Sequence, residues 1–234
     1  MGQLVAAQAR AAGHEIGEIF TSVETAIPLD DLSIRLHGHD VAIDFTVAEA
    51  VERNVAACVG AKVPLVEGTT GWQSQQSAIF RTVTDQGGAL IYGANFSVGV
   101  NLFYRVVAQA AELFSQAKDY APFIEEAHHQ QKRDAPSGTA LRLHDLLKEK
   151  IERDIPIAST RAGSIPGTHR VGFDSAADQI MLTHTARSRA GFASGALLAA
   201  GWIIGRKGVF EFSETIGDVI ANCQLPNPNY SKAK

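Results

Sequence analysis

Cysteine is scarce: Cys58 and Cys223 are the only two in 234 residues. They stand far apart in apolar or mixed surroundings, which excludes a disulfide scaffold and fits a reducing, cytoplasmic compartment. Long apolar runs are also missing. The most apolar stretch, Phe192 to Ile204, is broken by Ser194 and glycines, so it suits a buried helix and is too short to span a bilayer. No signal-peptide pattern opens these residues. No Lys/Arg cluster forms a basic stripe and the net charge is −4, which argues against nucleic acid as a partner, as the missing span argues against a membrane. HExxH and CxxC spacings are absent. His128, His129 and His144 are therefore weak zinc candidates, and no metal is expected. No internal repeat or low-complexity segment interrupts the chain, and Pro226 to Lys232 reads as an exposed tail.

What is present is an ordinary globular composition, with 45% hydrophobic and 20% charged residues, long enough for one elaborated domain or two small ones. The first hundred residues alternate short apolar runs with helical patterns, as in a parallel sheet wound by crossover helices. Helices are expected at Gln3 to Ala12, Val47 to Gly60 and Gln73 to Gln86, and strands at Glu15 to Phe20, Val41 to Asp44, Val63 to Val66 and Ala89 to Tyr92. The alternation ends after a long helix, Val98 to Ala117. A second, mixed region follows, with strands at Pro122 to Ala127, Thr168 to Asp174 and Gln179 to Ala186, and helices near Ser137 to Lys150 and Gly191 to Gly205. The last segment, Val209 to Ile220, can return to complete the first domain. The expected division is 1–97 plus 206–234, against 98–205.

Two loops after strands are placed to meet a ligand, since open α/β sheets bind beyond the carboxyl ends of their strands. They read Glu67-Gly68-Thr69-Thr70-Gly71-Trp72 and Gly93-Ala94-Asn95-Phe96-Ser97. Glycine permits close backbone approach and Thr and Asn offer polar contacts, although each loop alone also reads as a plain turn. The densest signal is Glu125 to Ala140, where imidazoles, an amine, a carboxylate and a helix start crowd together. Ser137 is a good N-cap, and Gly138, Thr139 and Ala140 then present free N–H groups that favour an anion such as a carboxylate. Lys132 and Arg133 add positive charge. His128 or Lys132 can transfer a proton near neutral pH. The bland alternative is a surface histidine pair before a generic loop-to-helix turn, and His37-Gly38-His39 reads as a solvated loop.

The segment His128 to Ala140 resembles the dihydrodipicolinate reductase motif His-His-x-x-Lys-x-Asp-Ala-Pro-Ser-Gly-Thr-Ala, matching every fixed position. Asp44-Phe45-Thr46, Gly68-Thr69-Thr70-Gly71 and Ala94 to Asn101 also resemble motifs of that family, so the likeness spans nearly the whole chain. The resemblance implies a Rossmann-like, doubly wound parallel sheet with a second α+β domain of mixed sheet for substrate binding and oligomerisation. It implies reduction of a cyclic imine dicarboxylate with NADH or NADPH on the route to diaminopimelate and lysine. His128 would be the acid/base and Lys132 the proton donor, with His129, Gly138 and Thr139 on the substrate carboxylates. Gly68, Thr69, Thr70, Gly93, Ala94, Asn95 and Phe96 would line the nicotinamide end, with hydride passing across a cleft between domains. A homotetramer built through the second domain's sheet is also implied.

The chain departs from the family at its beginning. The family opens with a strand and a loop of the type Gly-x-x-Gly-(Arg/Lys)-Met-Gly, whereas this sequence starts at Met1-Gly2, which match the end of that loop. Met1 is thereby a cofactor-loop residue, and a misplaced start is the favoured explanation because every later motif is intact. Loss of the first strand and phosphate loop implies exposed sheet edges, lower solubility and weaker cofactor binding. The alternative functional reading is a defective relative that binds a dicarboxylate without turnover. Beyond Phe20, Thr21 and Ser22 favour neither cofactor; Glu24 biases toward NADH while the hydroxyls also suit a phosphate, so dual use is expected.

Overall fold

The computed structural model of the chain describes residues 1–21 and 27–222. It divides into two compact units, Met1–Val98 with Ala190–Lys234, and Gly99–Arg189.

The first unit is a four-stranded parallel sheet in the order β1-β2-β3-β8, from β1 (Ala42–Asp44), β2 (Leu65–Glu67), β3 (Ala89–Tyr92) and β8 (Gly208–Glu211). Its central strands are apolar on both faces because helices cover both, as parallel sheets require. Leu65 and Leu90 face α3 (Ala48–Ala61) and α4 (Gln76–Asp85), packing on Val51, Val55, Cys58, Ile79 and Val83. Val66 and Ile91 face the opposite way, onto α1 (Gly2–Ala11), α7 (Ala190–Ile203) and α8 (Phe212–Asn222) through Val5, Ala196, Ala199, Ile203 and Ile216. A further helix, α2 (Leu29–Leu36), lays Leu32 and Leu36 against the α3 side.

Two expectations from the sequence differ here. The strand expected at Glu15 to Phe20 does not form among the described residues: the segment is irregular. A strand needs a neighbour's ladder of N–H and C=O groups, and β1, at the edge of the sheet, is paired with β2 alone. Helix α7, expected with the second unit, packs in the first. It has no polar stripe, being Ala, Gly, Leu and Trp almost throughout, so it is stable only when covered on most sides.

The second unit is a mixed sheet in the order β5-β4-β6-β7, with β4 (Ala121–His128) parallel to β5 (Ile157–Arg161) and antiparallel to β6 (Thr168–Asp174), which pairs antiparallel with β7 (Gln179–Thr185). Helices α5 (Val98–Phe114) and α6 (Gly138–Lys148) cover one face through Phe103, Val107, Leu143 and Leu147 over Ile124, Val171 and Phe173. Strand β7 is mostly exposed, including Ile180 and Met181. Among the described residues no helix is long and apolar enough to cross a membrane.

Candidate active site

In the first unit the carboxyl ends of β1 and β2 carry the turns of interest. Asp44 closes the β1 turn: its carboxylate accepts from the Thr46 N–H and the Asn54 amide, each at 2.7 Å. Glu67 does the same after β2, accepting from the Thr69 N–H at 2.7 Å, while the Trp72 indole donates to the Thr69 carbonyl at 2.8 Å. Gly68 is required here, because a Cβ would lie 2.1 Å from the Phe45 ring. Between these turns lies an open hollow of about 450 Å3 lined by Met1, Phe45, Thr46, Gly68, Thr69 and Thr70. A second, of about 240 Å3, is lined by Thr69, Thr70, Tyr92, Gly93, Ala94 and Glu211, among others.

Met1, Gly68, Thr69, Thr70, Gly93 and Ala94, all singled out from the sequence, thus line these two hollows. Asn95 and Phe96 line neither. The Asn95 side chain accepts from the Ser97 N–H at 2.9 Å, and the Phe96 ring is buried against Phe45 and Phe212. The residues fit a nicotinamide dinucleotide: Met1, the N-cap of α1, stands on the rim of the first hollow, so the free first-turn N–H groups of α1 suit a phosphate, and Thr46, Thr69 and Thr70 line the same hollow with polar groups. Ser22 and Glu24, which bear on cofactor choice, lie outside the described residues, as do Cys223 and the tail.

In the second unit, β4 alternates buried and partly exposed positions, and Ile124, Glu126 and His128 share the buried set. Register then brings Arg161 of β5 beside His128, and His169 of β6 beside Glu126. The Glu126 carboxylate is fully buried. Its Oε1 accepts from Arg161 at 2.7 Å, from the Ser159 hydroxyl at 2.7 Å and from the Ser137 N–H at 3.0 Å. Burial raises its pKa, but these donors overcome that and hold it at about 2. The rings of His128 and His169 meet edge to face at 5.0 Å. Burial, followed by the neighbouring His128, pushes His169 down to about 4, and burial also lowers His128, partly offset by Glu126.

Around this cluster, Ser137 caps α6, its Oγ accepting from the Ala140 N–H at 3.3 Å, which leaves the Gly138 and Thr139 N–H groups at the open helix end. His129 is half-buried with no hydrogen bond to Nδ1. Lys132 ion-pairs with Asp134 in its own loop at 2.8 Å. Glu126, His128 and His169 offer donor atoms within 4.8 Å of one another, yet the Arg161 guanidinium on the same carboxylate opposes a cation there. Glu126, Arg161, Ser159 and His169 were not assigned from the sequence. The two-residue phase of β4 could have marked Glu126 as buried, but the others become neighbours only through sheet register.

A doubly wound sheet with polar hollows at its strand ends, followed by a unit with a buried acid and paired imidazoles, is the build of a dinucleotide-dependent oxidoreductase with its own substrate unit. Sequence comparison is more specific. The family described as "Dihydrodipicolinate reductase, N-terminus" matches residues 1–96, and "Dihydrodipicolinate reductase, C-terminus" matches residues 99–216. The 4-hydroxy-tetrahydrodipicolinate reductase of Christiangramia forsetii is 39% identical over 78% of this chain and 82% of its own length. That of Halorhodospira halophila is 36% identical over 88% and 85%. The chain belongs to the dihydrodipicolinate reductase family. Among solved structures, the dipicolinate-bound dihydrodipicolinate reductase from Paenisporosarcina sp. TG-14 shares the fold, with a TM-score of 0.69 at 24% identity over 80% of this chain and 77% of that one.

Proposed function

We propose that this chain reduces 4-hydroxy-tetrahydrodipicolinate to tetrahydrodipicolinate with NADH or NADPH, in diaminopimelate and lysine biosynthesis, using His128 and Lys132 for proton transfer. The observation that carries the assignment of roles is the buried imidazole of His128 at the end of β4, in the same unit as an α6 N-terminus with free N–H groups. Gly138 and Thr139 hold one carboxylate of the substrate at that helix end, where the partial positive charge of the helix favours it. His129 orients the other. Lys132, tethered by Asp134, supplies the proton that accompanies hydride, His128 serves as acid/base, and the 4-hydroxyl leaves as water, which balances the conversion. When bound, the nicotinamide cofactor supplies hydride to the unsaturated ring.

The roles divide by unit: Met1–Val98 with the part that begins at Ala190 binds the dinucleotide, and Gly99–Arg189 binds substrate and oligomerises. The exposed β7 with Ile180 and Met181 supports a homotetramer assembled through the second unit's sheet. Cytoplasmic residence and dual cofactor use complete the reading. A cofactor preference above a hundredfold, about 2.8 kcal/mol, would overturn dual use.

The test is loss of reduced-nicotinamide absorbance on adding freshly generated substrate. Wild type is expected to turn over with either cofactor, and His128→Gln and Lys132→Ala to lose roughly 10²–10⁴ in kcat. Dicarboxylate binding without oxidation of either cofactor would instead establish a non-catalytic binder.

A further inference from the structure

The two oxygens of Glu126 are unequal. Oε1 is saturated by its three donors, from Ser137, Ser159 and Arg161. Oε2 is buried and accepts no hydrogen bond. It faces Nδ1 of His128 at 3.5 Å and Nε2 of His169 at 3.6 Å. An ionised oxygen removed from water requires a donor, and the two imidazoles are its nearby sources. His169 Nε2 is already 3.0 Å from the Ser137 hydroxyl. His128 Nδ1 is buried with no hydrogen-bond partner, so it is the donor still uncommitted.

We propose that Glu126 is a positioning residue for the reduction: its Oε2 takes the Nδ1–H of His128, fixing the imidazole in the tautomer that leaves Nε2 as the working nitrogen. The proposal rests on the reading of His128 as acid/base given above. Nε2 lies toward Gly167, where an added Cβ would stand 3.2 Å away, so a glycine there keeps space open on the working side. The charged groups acting on His128 are Glu126, Arg161, Lys132 and Asp134. Burial, Arg161 and Lys132 disfavour the imidazolium, whereas Glu126 and Asp134 favour it. Glu126 thus partly offsets the desolvation that lowers His128. The Nδ1 proton stays on nitrogen, because Glu126 titrates at about 2, and only Nε2 exchanges its proton.

The test uses the full chain labelled with 15N-histidine, followed by two-dimensional NMR across pH. Neutral His128 in the wild type is expected to carry its proton on Nδ1. In Glu126→Gln, which keeps the shape and removes the charge, the His128 midpoint should fall by about one pH unit. Its kcat should fall about tenfold to a hundredfold, with the profile displaced toward acid and KM nearly unchanged. Glu126→Asp should restore part of both midpoint and kcat. A wild-type proton on Nε2, or a wild-type midpoint in folded Glu126→Gln, would overturn the proposal. If Glu126→Gln does not fold, as near-UV circular dichroism would reveal, the wild-type tautomer decides alone. Wild-type turnover is scored separately against the reductase reading, since tautomer and midpoint bear only on Glu126.

Discussion

Glu67 and Asp44 stand at the same register on neighbouring strands, both buried. One oxygen of Glu67 has no hydrogen-bond partner. Burial first, and then the Asp44 carboxylate, push Glu67 up to about 9, so the folded chain keeps it neutral at working pH. A carboxyl raised in this way binds more protons folded than unfolded. Its stabilisation is complete below its ordinary pKa of 4.5 and is lost as pH rises toward about 9. Glu67→Gln mimics the protonated form permanently. It is expected to leave Tm unchanged below pH 4.5 and to raise it at pH 8.5, by about 2–4 °C for each kcal/mol recovered; thermal melts at the two pH values check this. Glu67 was visible in the sequence only as the residue before a glycine turn, because its burial depends on helices covering both faces of a parallel sheet.

At the scale of elements, α7 crosses the turn after β3 so closely that a Cβ on Gly195 would lie 1.7 Å from the Phe96 carbonyl oxygen. Two effects of Gly195→Ala oppose each other. Alanine favours a helix over glycine by about 1 kcal/mol, while an overpacked contact costs about 1–3 kcal/mol, occasionally more. At 1.7 Å against backbone the clash wins. The variant is expected to lose stability by about 1–3 kcal/mol and to raise the cofactor KM by displacing Gly93 and Ala94, measurable by melting and steady-state kinetics. Local periodicity made β3, α3 and β4 legible, since each is a run with one clear phase. It missed β5, a mostly exposed, polar edge strand, and α2, whose apolar positions cover only one narrow side of α3. The same limit applies to the candidate site: the histidine motif is contiguous and could be read directly, whereas Arg161 and His169 join it through pairings made far along the chain.

For the whole molecule, the two units carry their buried charge in opposite senses. In the first, Glu67 is raised to about 9, so that unit weakens as pH climbs from 4.5. In the second, Glu126 is lowered to about 2 and His169 to about 4. A depressed carboxyl stabilises above its ordinary pKa and loses that contribution as pH falls through 2, and a depressed, neutral histidine loses its contribution between about 6.5 and 4. The second unit therefore weakens toward acid. Each proton of difference between folded and unfolded chains changes stability by about 1.4 kcal/mol per pH unit, so the stabilities of the two units shift in opposite directions with pH. Hydrogen exchange resolved by segment and corrected for intrinsic rates is expected to show residues 42–92 losing protection between pH 5 and 9, while residues 121–174 gain it between pH 4 and 6.5. Parallel changes in both segments would mean that one cooperative unfolding governs the chain and that its buried charges do not act unit by unit.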